Sequence, residues 1–247
     1  MAEGSKATAR TVASVVRSRI ERGGERVWRL DDFRDLPFPA VAQALSRLAR
    51  GGRLERLSKG TYYRGRSTAF GASRANPASV ESIARRSRSI FPSGIAAASL
   101  LGFTTQVPAR REVATHASSL PRKLVGPDAT IHTRRPAAWA DLSEVDAALL
   151  DFLRRRGGTS ELPPRETIRR TLELLAQRGR YKRLLRIAST EPPRVRAMLG
   201  ALGERLGARQ GSLAPLRDSL NSLSRFDFGV FAELPNARRW HAKEHRT

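Results

Sequence analysis

The chain of 247 residues contains no cysteine, which excludes a disulfide scaffold and thiolate-ligated zinc and fits a cytoplasmic setting. Histidine is scarce at four residues, so a nucleophilic triad or metal cluster has few possible members. No stretch approaches the ~20 apolar residues that a membrane-spanning helix needs, and mean hydropathy is −0.43. The opening segment MAEGSKATARTVASVVRSR has neither an apolar signal core nor a cleavage pattern, so no signal peptide is expected. Acid is scarce as well. Asp and Glu total 23 against 46 Lys and Arg, giving a net charge of +23 and a pI near 11.7. The excess is spread along the whole chain. Such a chain is drawn to polyanions, with nucleic acid the leading partner. Lysine is nearly missing too, at 5 against 41 arginines, a bias that GC-rich coding alone can produce.

Enough apolar residues are present, 40%, to bury a core. Residues 8–22 space Val12, Val15, Val16 and Ile20 as a helix that Gly23-Gly24 ends. RVWRL is short and β-like, and LDDFRDLP predicts one or two helical turns ending at Pro37. From Pro39 to Arg50 the period returns. Val41, Ala44, Leu45 and Leu48 share one side, while Gln43, Ser46, Arg47 and Arg50 share the other, until Gly51-Gly52. RLERLSKGTYYRG then predicts a hairpin turning at Ser58-Lys59-Gly60. Helix, short strand, two helices and a two-stranded ribbon follow the order of a winged helix-turn-helix, whose helix after the tight turn enters the DNA major groove. The expected DNA-binding residues are Pro39, Gln43, Ser46, Arg47, Arg50, Arg56, Ser58, Lys59, Tyr62 and Arg64. Gln43 and Arg47 are expected to read bases, and Lys59 and Arg64 to touch phosphates.

A polar link over 65–78 suggests a winged domain at 1–70 and a C-terminal domain at 71–247, with a sub-boundary near 140. The second domain should hold a helix from Pro77 to about Ser89 and a small-residue helix ended by Gly102. Strands are expected in REVATH and ATIHTRR. Helices follow over 143–155, 165–178, 181–188, 193–206 and about 213–223. The fold class is α+β and mostly helical, the larger C-terminal domain carrying a small β-sheet and several helices.

Catalytic motifs are absent or decoys, and no cofactor, metal or catalytic residue is expected. HAKEH at 241–245 matches an inverted zinc-protease pattern but reads as a solvated tail, because only two residues follow for a third ligand. GALGERLG lacks the Lys-Ser/Thr pair of a phosphate loop. Asp141, Glu144 and Asp146 suit a helix N-terminus better than a metal. The basic runs RRR at 154–156 and RGRYKRLLR at 178–186 admit two readings, helix-end charge or a surface for an acidic partner or nucleic acid.

RVWRLDDF, VAQALSRLARGGRLERLSKGTYY and FPSGIAAASLLGFTTQVPARREVAT resemble the AbiEi-type antitoxins, regulators of type IV toxin–antitoxin operons. The resemblance covers about residues 8–135, and its more specific part is the Ser93-Gly94…Leu100-Leu101-Gly102 block. It implies an N-terminal winged domain that binds operator repeats in its own promoter, and a C-terminal domain that counteracts a nucleotidyltransferase-like toxin. Such toxins carry Gly-Ser with paired Asp; FGAS here is followed by no acidic pair, so the chain is not the toxin. One alternative is a stand-alone winged-helix regulator with a dimerising or ligand-sensing C-terminal domain. A remote one is a winged-helix-targeted nuclease, against which REVATH and ATIHTRR offer Glu112 without the paired acids Mg²⁺ needs.

Overall fold

The computed structural model describes residues 11–58, 60–68, 71–72, 90–120 and 122–243. They form two compact units, one from residues 1–87 with 121–127 and one from 88–120 with 128–247. The helix expected over 77–89, Lys59 and the Glu244-His245 end of HAKEH lie outside the described residues.

In the first unit, Thr11 caps α1 (Val12–Arg22) through its side chain, which accepts from the Ser14 N–H. Strand β1 (Arg26–Arg29) leads into a 3-10 turn (Leu30–Phe33), and α2 spans Phe38–Arg50 with Pro39 in its first turn. Gly52, at φ 71°, lets the chain reverse after α2. The Gly52 and Arg53 N–H groups return to the Ala49 and Leu48 carbonyls, a Schellman closure. Strands β2 (Glu55–Ser58) and β3 (Thr61–Arg64) follow. The expected two-stranded ribbon is in fact part of a three-stranded antiparallel sheet in the order β1-β3-β2. Val27 pairs with Tyr63 and Trp28 with Tyr62, a register that local periodicity could not reveal. The apolar face of α2 packs with Val16, Ile20, Trp28, Phe33, Leu54 and Tyr62 into one core. Short strands β4 (Ser67–Thr68) and β5 (Gly71–Ala72) pair with each other, and a single helical turn, α4 (Arg122–Val125), groups with this unit.

The second unit begins with β6 (Phe91–Pro92) and α3 (Ile95–Leu101), which Gly102 ends at φ 72°. Strands β7 (Glu112–Ala114) and β8 (Thr130–His132) complete a mixed sheet in which β7 lies antiparallel to β6 and parallel to β8. Helices α5 (Glu144–Arg154), α6 (Pro164–Ala176), α7 (Arg180–Ile187), α8 (Pro193–Arg205) and α9 (Gln210–Asp218) follow. One core runs from Phe91 to Ala242, so residues on both sides of 140 share it. The protein is a mixed α+β fold, predominantly helical with small sheets. No helix among the described residues is long and apolar enough to cross a membrane.

The C-terminal stretch departs from the solvated tail expected for it. Phe226 bridges to Ala242, the Phe226 and Lys243 N–H groups bond the His241 and Phe226 carbonyls, and Trp240 is fully buried against α8. Asp146 stands in the first turn of α5, as expected of an acid at a helix N-terminus. It is buried, and Arg180 and Arg183 both close on its carboxylate at 3.0 and 2.8 Å.

Candidate nucleic-acid interface

The polar face of α2 is positioned by its apolar one. With Val41, Ala44, Leu45 and Leu48 buried, residues at 100° steps around the helix force Pro39, Gln43, Arg47 and Arg50 outward together. All four are exposed. The side chains of Gln43, Arg47 and Arg50 make no hydrogen bond or ion pair with any other described residue. That sets them apart from nearby cations. Arg19 forms a bidentate pair with Asp35, which hydrogen-bonds it and so raises the guanidinium pKa and lowers that of the carboxyl. Arg26 stacks 4.0 Å from the Trp28 ring centre and pairs with Asp32 at 3.4 Å.

The structure also brings in a residue that the sequence reading missed. Arg17, exposed on α1, lines a cleft of about 250 Å³ with Ala13, Ala44, Arg47 and Arg53. Ala13 and Ala44 leave the room between the two helices. Arg53 is steadied by Glu21 at 3.2 Å, whereas Arg17 has no charged partner among the described residues. Arg17 gives no signal in sequence, because it stands beside the buried Val16 and the cleft exists only once α1 and α2 are packed.

Three expected contacts have other tasks. Tyr62 is only 3% exposed, and its hydroxyl meets Ser46 Oγ at 3.3 Å beneath α2. The pair ties α2 to β3, leaving Ser46 half-buried. Arg64 turns back to the end of α1, where Nη1 donates to the Glu21 carbonyl at 2.5 Å and also to that of Ile20. A helix C-terminus leaves carbonyls without intrahelical donors, and a neighbouring cation satisfies them. Arg56 is exposed on β2, and Ser58 ends that strand.

The family described as "Family of unknown function (DUF6088)" matches residues 16–135, which include the last seven residues of α1, all of α2 and the β1-β3-β2 sheet. No curated protein matches the chain. Among solved structures, the crystal structure of the RV2827C protein from Mycobacterium tuberculosis is similar at 19% identity and TM-score 0.39, over 85% of this chain and 82% of that one.

Proposed function

We propose that the first unit is a winged helix-turn-helix that binds duplex DNA through α2, and that the chain is a cytoplasmic, non-enzymatic repressor of its own operon. One observation carries the reading. Gln43, Arg47 and Arg50 form a polar face on a rigid helix and have no described protein partner. Glutamine pairs with adenine and arginine with guanine in the major groove, so Gln43 and Arg47 are base readers. Arg17, Arg50 and Arg53 are phosphate contacts that fix the helix in register without reading sequence. The net charge of +23 supplies the long-range attraction. The resemblance to AbiEi-type antitoxins adds the role of that repressor, relief of a nucleotidyltransferase-like toxin by the C-terminal part.

Selection of binding sequences from a random duplex library by the full chain tests the reading. The natural chain should enrich one recurring motif that also occurs in its promoter. A chain with Gln43→Ala and Arg47→Ala should enrich none. Equal enrichment by both chains would refute base readout by α2.

A further inference from the structure

The basic run 154–156 has a second use in the fold. Arg154, Arg155 and Arg156 line a cleft of about 440 Å³ with Gly158, Thr159 and Arg194. Arginines at a helix C-terminus commonly serve its unpaired carbonyls, but here those carbonyls are largely supplied from elsewhere. The carbonyls of residues 151, 152, 153 and 155 accept from the N–H groups of Arg155, Gly157, Arg156 and Gly158, and that of Arg156 from Val230. Only the Arg154 carbonyl takes a guanidinium, Arg194 Nη2 at 3.0 Å. Most of the donors in the cleft are therefore not consumed by the helix end.

Each of the three run arginines is anchored through part of its fork. Arg154 Nε donates to Glu191 at 2.7 Å, and Arg155 Nε to Asp151 at 3.0 Å. Arg155 Nη2 faces Glu112 and His132, and Arg156 Nη1 holds Asp227. A guanidinium carries five donors, and Arg154 Nη1 and Nη2, Arg155 Nη1 and Arg156 Nη2 bond no described residue. The carboxylates thus fix the orientation of the forks and leave their other edges unpaired. Arg194 forms no hydrogen bond or ion pair with a carboxylate among the described residues, although its charge helps to lower the pKa of Asp227, and its Nε and Thr159 Oγ1 are buried polar atoms without a hydrogen-bond partner. Leaving such atoms unsatisfied is costly, while an oxyanion entering the cleft would take charge-assisted hydrogen bonds from the unpaired Nη edges of the run arginines. Nearby Arg135 has its pKa lowered, first by burial and then by the charge of Arg154, against which Asp151 and Glu191 act.

We propose that this cleft binds a tetrahedral oxyanion, the phosphoryl group of a small phosphorylated ligand. Its volume is within the ~300–1,000 Å³ of small-molecule sites. The inference is independent of DNA binding by α2.

The test titrates the full chain with inorganic phosphate and with a nucleoside monophosphate at fixed ionic strength. In parallel, arginine-selective modification by phenylglyoxal is mapped by mass spectrometry. Both phosphates should protect Arg154, Arg156 and Arg194 while leaving exposed Arg186 reactive. Arg156→Gln should weaken phosphate binding about tenfold, the loss of one charge-assisted hydrogen bond, and Arg186→Gln should not change it. Equal protection by sodium chloride at the same ionic strength would overturn the site, as would unchanged binding by Arg156→Gln. Protection by duplex DNA and by neither phosphate would overturn the small-ligand assignment.

Discussion

Arginine is so frequent in this chain that its presence at a position says little, and the partner of each guanidinium says more. Arg64 serves the end of α1, Arg19 serves Asp35, and Arg47 serves no described residue. Arg47 and Arg17 line one cleft yet should differ in what their removal does. Arg47→Ala should cost about 1–3 kcal/mol on the preferred sequence and relax the preference there, as the loss of a base-reading pair does. Arg17→Ala should weaken preferred and random duplexes alike, as phosphate contacts do. Anisotropy titrations on both duplexes separate the two, and equal losses for Arg47→Ala would remove it as a reader. Glycine gives a second residue-scale case. Gly200 and Gly203 of α8 are not parts of a phosphate loop but places where rings press on the helix. A Cβ at Gly200 would overlap the Trp240 ring, and one at Gly203 the Tyr181 hydroxyl. Gly200→Ala should destabilise the protein by about 1–3 kcal/mol through overpacking. Urea denaturation reads the loss, and an unchanged midpoint would show that Trp240 moves freely.

At the scale of elements, α5 and α7 are joined through one buried carboxylate. Asp146 is 1% exposed and takes Arg180 and Arg183, and its own N–H is capped by Ser143 Oγ at 3.1 Å. Removing one partner of a buried ion pair leaves uncompensated charge, so Asp146→Ala should cost about 3–5 kcal/mol. Thermal or urea unfolding checks it, and a loss below about 1 kcal/mol would mean that the guanidiniums find water instead. The same pair shows where reading the sequence stops. The amphipathic periods of α1, α2 and α5 through α9, and the glycines ending α1, α2 and α3, are local signals and were legible. So was the outward face of Gln43, Arg47 and Arg50. Asp146 lies 34 residues from Arg180, and no local pattern joins them. The pairing of β1 with β3 and the return of Arg64 to α1 also depend on distant chain. The segment after α9 carried no period because it folds as 3-10 turns whose aromatic residues, Phe228, Phe231 and Trp240, enter the core singly.

For the whole molecule, the two units divide the proposed labour. The first holds α2, the helix proposed to face DNA, and the second holds the larger core and a cleft rich in arginine. The central claim is that α2 binds duplex DNA by pairing an electrostatic footprint with base readout. About 4–6 phosphate contacts, from Arg17, Arg50, Arg53 and the basic residues around β2, imply a log–log salt slope of roughly −4 to −5. The most direct measurement is anisotropy of promoter duplex titrated with the full chain across a salt series, beside the same chain carrying Arg17→Ala, Arg47→Ala and Arg50→Ala. The account predicts a slope near −4 to −5 for the natural chain, a slope shallower by about 2 for the variant, which lacks two phosphate contacts, and loss of the variant's preference for promoter over random duplex. Unchanged slope and preference in a variant that is still folded would contradict it.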